Sequence, residues 1–212
     1  MQAGSLSMTI KPFPNGPFEV NTYLVIEGND ALIIDPGAGI LPLLGEIKKQ
    51  GLSVCAFLIT HPHIDHLDGI PFIRNLFPAV QGYIAEDAVS ELSKVALQAR
   101  MFGVKDPGSL HVENTIKAEQ IFHLGPFEIK PMITPGHCPG SLSFLIGGNL
   151  FPGDVLFKET IGRTDLPGGS IVLLRKSIEK KLFCLSDETP VFPGHGEKTT
   201  IGHEKRFNPF FS

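Results

Sequence analysis

Seven residues with imidazole or carboxylate side chains, between positions 61 and 195, stand in turn-forming settings that would expose those side chains. Four form one cluster, T-H-P-H-I-D-H, in which His61, His63, Asp65 and His66 directly follow an apolar run from Val54 to Ile59. The other three are His137 in T-P-G-H-C-P-G-S, Asp154 in P-G-D-V-L-F and His195 in F-P-G-H-G. Imidazole and carboxylate are ligands of borderline and hard cations such as Zn²⁺, Fe²⁺ and Mn²⁺, whereas a thiolate-rich set would point to structural zinc or an iron–sulfur cluster. Cys55, Cys138 and Cys184 include no pair at ligand spacing. Seven donors exceed what one tetrahedral ion uses, so the set reads as a centre for two divalent ions, zinc first, with iron or manganese fitting the same donors. If Asp154 bridges, each ion takes it and three of the other six, leaving room between them for water. Coordination lowers the pKa of water from ~15.7 to about 7, and a second ion clamps the oxygen that becomes negative during attack. That is hydrolytic chemistry.

The ligands must be delivered by the elements around them. V-C-A-F-L-I is apolar, partly β-branched and short, which predicts a buried strand ending at Thr60. Pro62 forbids ladder pairing beyond it and biases His61 to extended geometry, so the H-x-H spacing can turn two imidazoles toward one point. Gly136, Gly153, Gly194 and Gly196 permit tight backbone paths beside the later ligands. Around these, the pattern predicts strands at 20–27, 31–35, 118–123, 127–134, 141–146, 149–151 and 190–192. Helices are predicted at 40–50, 68–77, 86–102, 170–182 and 200–207. With no linker or low-complexity segment, this reads as one layered α/β domain over 1–212.

The order H-x-H-x-D-H, then His, Asp and His each in a glycine or proline turn, resembles the metallo-β-lactamase superfamily. Within it, the chain is most similar to the compact bacterial glyoxalase II-like hydrolases. Matching motifs run from I-I-D-P-G (Ile33 to Gly37) through F-P-G-H-G to the tail N-P-F. The resemblance implies a four-layer αββα sandwich, two mixed β-sheets face to face with helices outside and all ligands along one edge. It also implies that His61, His63 and His137 hold one ion, that Asp65, His66 and His195 hold the other, and that Asp154 bridges. Asp65 would orient the bridging hydroxide and shuttle its proton. The implied reaction is hydrolysis of a small-molecule thioester such as S-D-lactoylglutathione.

Asp35 in I-I-D-P-G reads either as a carboxylate orienting a metal-bound imidazole or as a plain turn residue. The helical extension that completes the glutathione site of true glyoxalase II enzymes is not expected in the short stretch after His195. Arg163 stands where the family places a cation near the thioester's peptide carboxylate, and would either bind that carboxylate with a two-pronged hydrogen bond or pair with Asp165 in its own loop. Lys158, Lys198 and Arg206 are weaker candidates of the same kind. G-R-T-D also resembles persulfide dioxygenases, in which His61, His137 and Asp154 would hold a single iron. The turn P-G-H-G departs from their P-A-H-D and favours the hydrolases. A third reading is a catalytically silent metal-binding domain.

Composition excludes other classes. The chain carries a formal net charge of −4, a sequence pI of about 6.0 and no basic tract, which argues against nucleic acid or an anionic membrane as partner. The N-terminal M-Q-A-G-S-L-S-M-T-I does not resemble a secretory signal, and no apolar run approaches the roughly 20 residues that cross a bilayer. With an odd cysteine count, the expectation is a reducing, cytoplasmic setting. Cys138 reads as structural because the only base beside it, His137, is committed to metal. His111, His123 and His203 read as ordinary surface or packing residues. Phe207, Phe210 and Phe211 would dock onto the domain itself or onto a partner subunit.

Overall fold

The computed structural model describes residues 8–211. Two six-stranded mixed sheets account for most of it. The first comprises β1 (Thr9–Asn15), β2 (Val20–Glu27), β3 (Asp30–Ile34), β4 (Ser53–Leu58), β5 (Gln81–Ala85) and β6 (Asn114–Ile116), in that spatial order. Strands β1 to β3 are antiparallel, and β3 to β6 are parallel. The second is built from β7 (Phe122–Leu124), β8 (Phe127–Ile133), β9 (Leu142–Ile146), β10 (Asn149–Gly153), β13 (Pro190–Pro193) and β14 (Thr199–Thr200), ordered β14-β13-β10-β9-β8-β7. Between β10 and β13 a small hairpin, β11 (Leu156–Phe157) with β12 (Thr160–Ile161), follows Asp154.

Burial explains the layering. Strand β2 is buried at every position but its last, as expected for a strand covered on both faces. Leu24, Leu32, Ile34 and Phe57 from the first sheet share one apolar core with Phe127, Ile129, Phe144 and Phe151 from the second, so the sheets meet face to face. Helices α1 (Leu41–Gln50) and α2 (Ile70–Leu76) join the same core through Leu43, Ile47, Ile70 and Ile73. On the far face of the second sheet, α4 (Ile171–Ser177) and α5 (Ile201–Phe207) bury Leu174 and Ile201 against Leu150 and Val191. The αββα arrangement is therefore the observed one.

Several elements differ from expectation for local reasons. T-I-K-P-F-P-N forms β1 despite Pro12 and Pro14, because an edge strand has one row of N–H groups that need no partner. Q-G-Y-I-A makes β5, its Gly82 lying so close to the Phe57 ring that a Cβ would collide with it. The stretch 86–102 divides into 3₁₀ turns over Glu86–Lys94 and a regular helix α3, Val95–Phe102, closed by left-handed Gly103. The helix expected over 170–182 is α4 followed by a π-helical stretch, Ile178–Leu182. The strand expected at 118–123 is reduced to β7. No helix among the described residues is long and apolar enough to cross a membrane. The N-terminal reading falls mostly on residues 1–7, outside the described residues.

Candidate metal centre

The apolar run before the cluster is β4, which ends at Leu58, two residues short of Thr60, and is buried only over its last three residues because its first half lies toward the surface. Past it, His61 is 1% exposed, and Ile64–His66 turn in a single 3₁₀ step that brings Asp65 and His66 back under the strand end. Strand β10 ends at Gly153, which adopts φ 55° and presents Asp154. His195 follows β13 in a turn held by the other sheet. Asn21 N–H donates to Gly194 O at 2.7 Å, Asn21 Nδ2 donates to Pro193 O at 3.0 Å, and Tyr23 O–H donates to Pro193 O at 2.7 Å. Leu142 N–H donates to Thr60 O at 2.7 Å, a second stitch between the sheets at the same edge.

All seven expected donors converge. His61 Nε2 lies 3.1 Å from His63 Nδ1, which lies 2.9 Å from His137 Nε2. His66 Nε2 lies 3.7 Å from Asp65 Oδ2, and His195 Nε2 lies 3.2 Å from the same oxygen. Asp154 stands between these groups, with Oδ2 3.9 Å from His61, 3.7 Å from His137 and 3.6 Å from His195, and Oδ1 3.5 Å from His66. The sets His61/His63/His137 and Asp65/His66/His195 each have ligand atoms within 4.8 Å of one another, as does His61/His66/Asp154.

The outer ring nitrogens decide where the lone pairs point. Thr60 Oγ1 donates to Asp35 Oδ2 at 2.7 Å, so it accepts from His61 Nδ1 at 3.0 Å. His137 Nδ1 donates to Arg163 O at 2.8 Å, and His195 Nδ1 donates to Phe18 O at 2.9 Å. His66 Nδ1 lies 3.0 Å from Asp35 Oδ2, and charge attraction ties the two. In His61, His137 and His195 the hydrogen-bonded Nδ1 faces outward and Nε2 faces the centre, the orientation a metal ligand needs. His66 Nε2 and Asp154 Oδ1 are buried without a hydrogen-bond partner. Buried polar atoms are rarely left so, and converging lone pairs repel. Divalent cations would satisfy both, so the donor set fits the expected ions.

Electrostatics divides the cluster in two. Burial, reinforced by the neighbouring imidazoles, holds His61 and His137 below the usual histidine range, and burial pushes His63 down to about 3. These rings stay neutral. At His66 burial acts in the same direction but Asp35, Asp65 and Asp154 outweigh it, raising the ring to about 10. His195 is raised, against its burial, by Asp65 and Asp154. Asp65 is partly buried, yet His66 and His195 hold it well below the usual carboxylate range, so it is ionised at neutral pH.

Sequence reasoning missed several supporting residues. Thr60 and Asn21 act through the bonds above. Gln98 of α3 clasps the ligand loop, its Oε1 accepting from Ile64 N–H at 2.8 Å and its Nε2 donating to Pro62 O at 3.1 Å. Phe18 and Phe102 meet edge to face at 5.6 Å and line a cavity of about 220 Å³ with His63, Asp65, His137, Asp154, Arg163, Leu166 and His195. The helical spacing of 86–102 located α3, but nothing in the sequence tied it to the ligand loop.

The remaining candidates are placed as follows. Arg163 lines the cavity while its exposed guanidinium pairs with Asp165 through two bonds of 2.7 Å. Lys158, in the turn between β11 and β12, pairs with Glu197 at 2.5 Å and does not line the cavity. Arg206 donates to Gly202 O within α5. Cys138 is buried, bonded to Ser141 and pushed up to about 12 by burial, which suits a structural thiol. His111, His123 and His203 join no donor cluster, and His203 pairs with Glu159 at 2.9 Å.

A family model described as the metallo-beta-lactamase superfamily matches residues 15–195. The chain belongs to the metallo-beta-lactamase superfamily. It is 36% identical over 197 residues to a probable metallo-hydrolase of Streptococcus pyogenes, covering 90% of this chain and 85% of that one. It is 34% identical to the hydroxyacylglutathione hydrolase GloC of Haemophilus influenzae, covering 97% and 99%. Among solved structures, BLEG-1 B3 metallo-beta-lactamase superposes with a TM-score of 0.89 at 34% identity, covering 96% of this chain and all of that one. TTHA1623 in a di-iron-bound form superposes with a TM-score of 0.85 at 34% identity, covering 94% and 99%. ETHE1 from Myxococcus xanthus gives 0.78 at 25% identity, covering 95% and 83%. With its family and donor cluster together, the protein is a metal-dependent hydrolase of this superfamily.

Proposed function

We propose that the chain hydrolyses small-molecule acyl-thioesters of the glyoxalase II kind at a binuclear centre. His61, His63 and His137 would hold one ion and Asp65, His66 and His195 the second, with Asp154 placed to serve both. The observation that carries this is Asp154, whose two carboxylate oxygens face both sets of imidazoles at 3.5 to 3.9 Å. When bound, the two divalent ions, zinc first with iron or manganese fitting as well, make water nucleophilic at neutral pH and stabilise the negative charge that develops on the carbonyl oxygen. Asp65 would orient the attacking water, accept its proton and pass it to the departing thiolate as the C–S bond breaks. Arg163 anchors a carboxylate of the thiol carrier. Its pairing with Asp165 is solvent-exposed and screened by water, so a substrate carboxylate can compete for it.

The persulfide dioxygenase reading draws on the G-R-T-D segment and on the ETHE1 superposition. A single iron on His61, His137 and Asp154 would leave the equally converged Asp65, His66 and His195 without a role, which favours the hydrolase.

Metal analysis of the purified protein separates the two, with near two ions per chain expected for the hydrolase and one iron for the dioxygenase. Cleavage of S-D-lactoylglutathione, run beside oxygen uptake with glutathione persulfide, tests the chemistry. Oxygen uptake without thioester cleavage would overturn the proposal. Arg163→Ala is expected chiefly to raise KM.

A further inference from the structure

Beside the metal cavity runs a second, larger groove of about 280 Å³. Leu97, Met101 and Phe102 of α3 line it together with Pro139, Leu166 and Pro167 from the loops after His137 and Arg163. His63, Phe102 and Leu166 border both spaces, so the groove opens directly beside His63 of the donor cluster. We propose that this groove is an acyl-chain subsite, and that the enzyme prefers thioesters whose acyl group is an extended, uncharged hydrocarbon chain. The inference rests on the thioester hydrolase reading and names the substrate class of that same site.

Two observations select the acyl arm rather than the thiol carrier. A glutathione-type carrier bears peptide carboxylates that need free cations, and the groove offers none. Its lining contains one cation, Lys94, already bonded to Glu91 at 2.7 Å. Arg163, the cation suited to a carboxylate, lines the metal cavity and not the groove. The carrier therefore lies toward Arg163 and the acyl chain toward α3. The second observation is solvent exposure at the groove wall: Leu97 is 53% and Met101 64% exposed. A bound hydrocarbon chain would remove this contiguous apolar surface from water.

The test is a series of glutathione thioesters, acetyl, butyryl, hexanoyl and octanoyl, assayed beside S-D-lactoylglutathione on the metal-replete protein. Each methylene buried should raise kcat/KM about threefold to fourfold, on the order of 100-fold from acetyl to hexanoyl. Leu97→Asp and Met101→Asp, both at exposed positions that the fold does not need, should each cut the hexanoyl-to-acetyl ratio at least tenfold. That ratio is taken within one protein, so a general loss of activity cancels. Cleavage of lactoylglutathione with a flat or falling acyl series would overturn the subsite while leaving the hydrolase reading intact. An unchanged ratio in both variants would do the same. Failure to cleave any thioester would remove both.

Discussion

Gly194, in the turn that carries His195, offers a sharp test of the geometry. Its conformation is open to any residue, so alanine there meets no backbone penalty, but a Cβ would stand 2.8 Å from His66 Cε1 and closer still to Asp154 Oδ1. Ordinary contact between such atoms is about 3.5 Å, so the Asp154 carboxylate or the turn must retreat by roughly 1 Å. The turn is pinned by Asn21 N–H on Gly194 O and by Gly194 N–H on Gly153 O, leaving the carboxylate to move. Misplacement of that size at a reacting centre costs on the order of 100-fold in rate. Crowding of this kind costs stability as well, about 1–3 kcal/mol. Gly196 supplies the matched control. It holds φ 73° with open space around its would-be Cβ, so Gly196→Ala should cost about 1–2 kcal/mol of backbone strain and disturb no ligand. For a domain of this size Gly194→Ala should lower Tm by about 2–12 °C and Gly196→Ala by about 2–8 °C. Only Gly194→Ala should also lose metal, read as ions per chain after gel filtration, and about two orders of magnitude in kcat/KM for S-D-lactoylglutathione. A Gly194→Ala protein with a full metal complement and activity near the parent's would show that Asp154 does not sit where the centre requires it.

Other outcomes follow from the same contacts. Asp35 occupies the left-handed region at φ 51°, which asparagine tolerates, so Asp35→Asn should fold while weakening metal affinity about 10–100-fold in a chelator competition. Unchanged affinity would leave Asp35 a turn residue and no more. Gln98→Leu strands the Ile64 N–H and should cost roughly 1–3 kcal/mol, with faster amide exchange across residues 62–66 as the local signature. In metal-free protein, His61, His63 and His137 resist protonation while the unfolded chain takes up protons near pH 6.5. Stability should therefore fall as pH drops from about 6.5 toward 3. His66 and His195 act the other way: their contribution is complete below pH 6.5 and is lost at higher pH, for His66 as pH rises toward 10. Thermal unfolding of chelator-treated protein should peak near neutrality, and a monotonic rise into acid would contradict this assignment of charges.

The chemistry of this chain was legible because its ligands sit where local rules speak loudly. The apolar run Val54 to Ile59 reads as a strand, Pro62 bars ladder pairing beyond it, and the glycines beside Asp154 and His195 mark sharp turns. The helix at 40–50, closed by Gly51, and the final helix at 200–207 agree with α1 and α5. Less visible were β1, β5 and β6, short or proline-bearing strands whose pairing depends on a neighbour far away in sequence, and the 3₁₀ turns that precede α3.

Residue types and turn chemistry thus determined which groups could ligate and which backbone stretches would expose them. Tertiary structure decided that they meet. Asn21 of β2 holds the His195 turn, Thr60 O holds Leu142 at the start of β9, and Gln98 closes over the ligand loop, each bond spanning 34 residues or more. Spacing along a chain fixes directions only within a turn or two, whereas the distance between remote turns is set by the register of two sheets packed on a shared core.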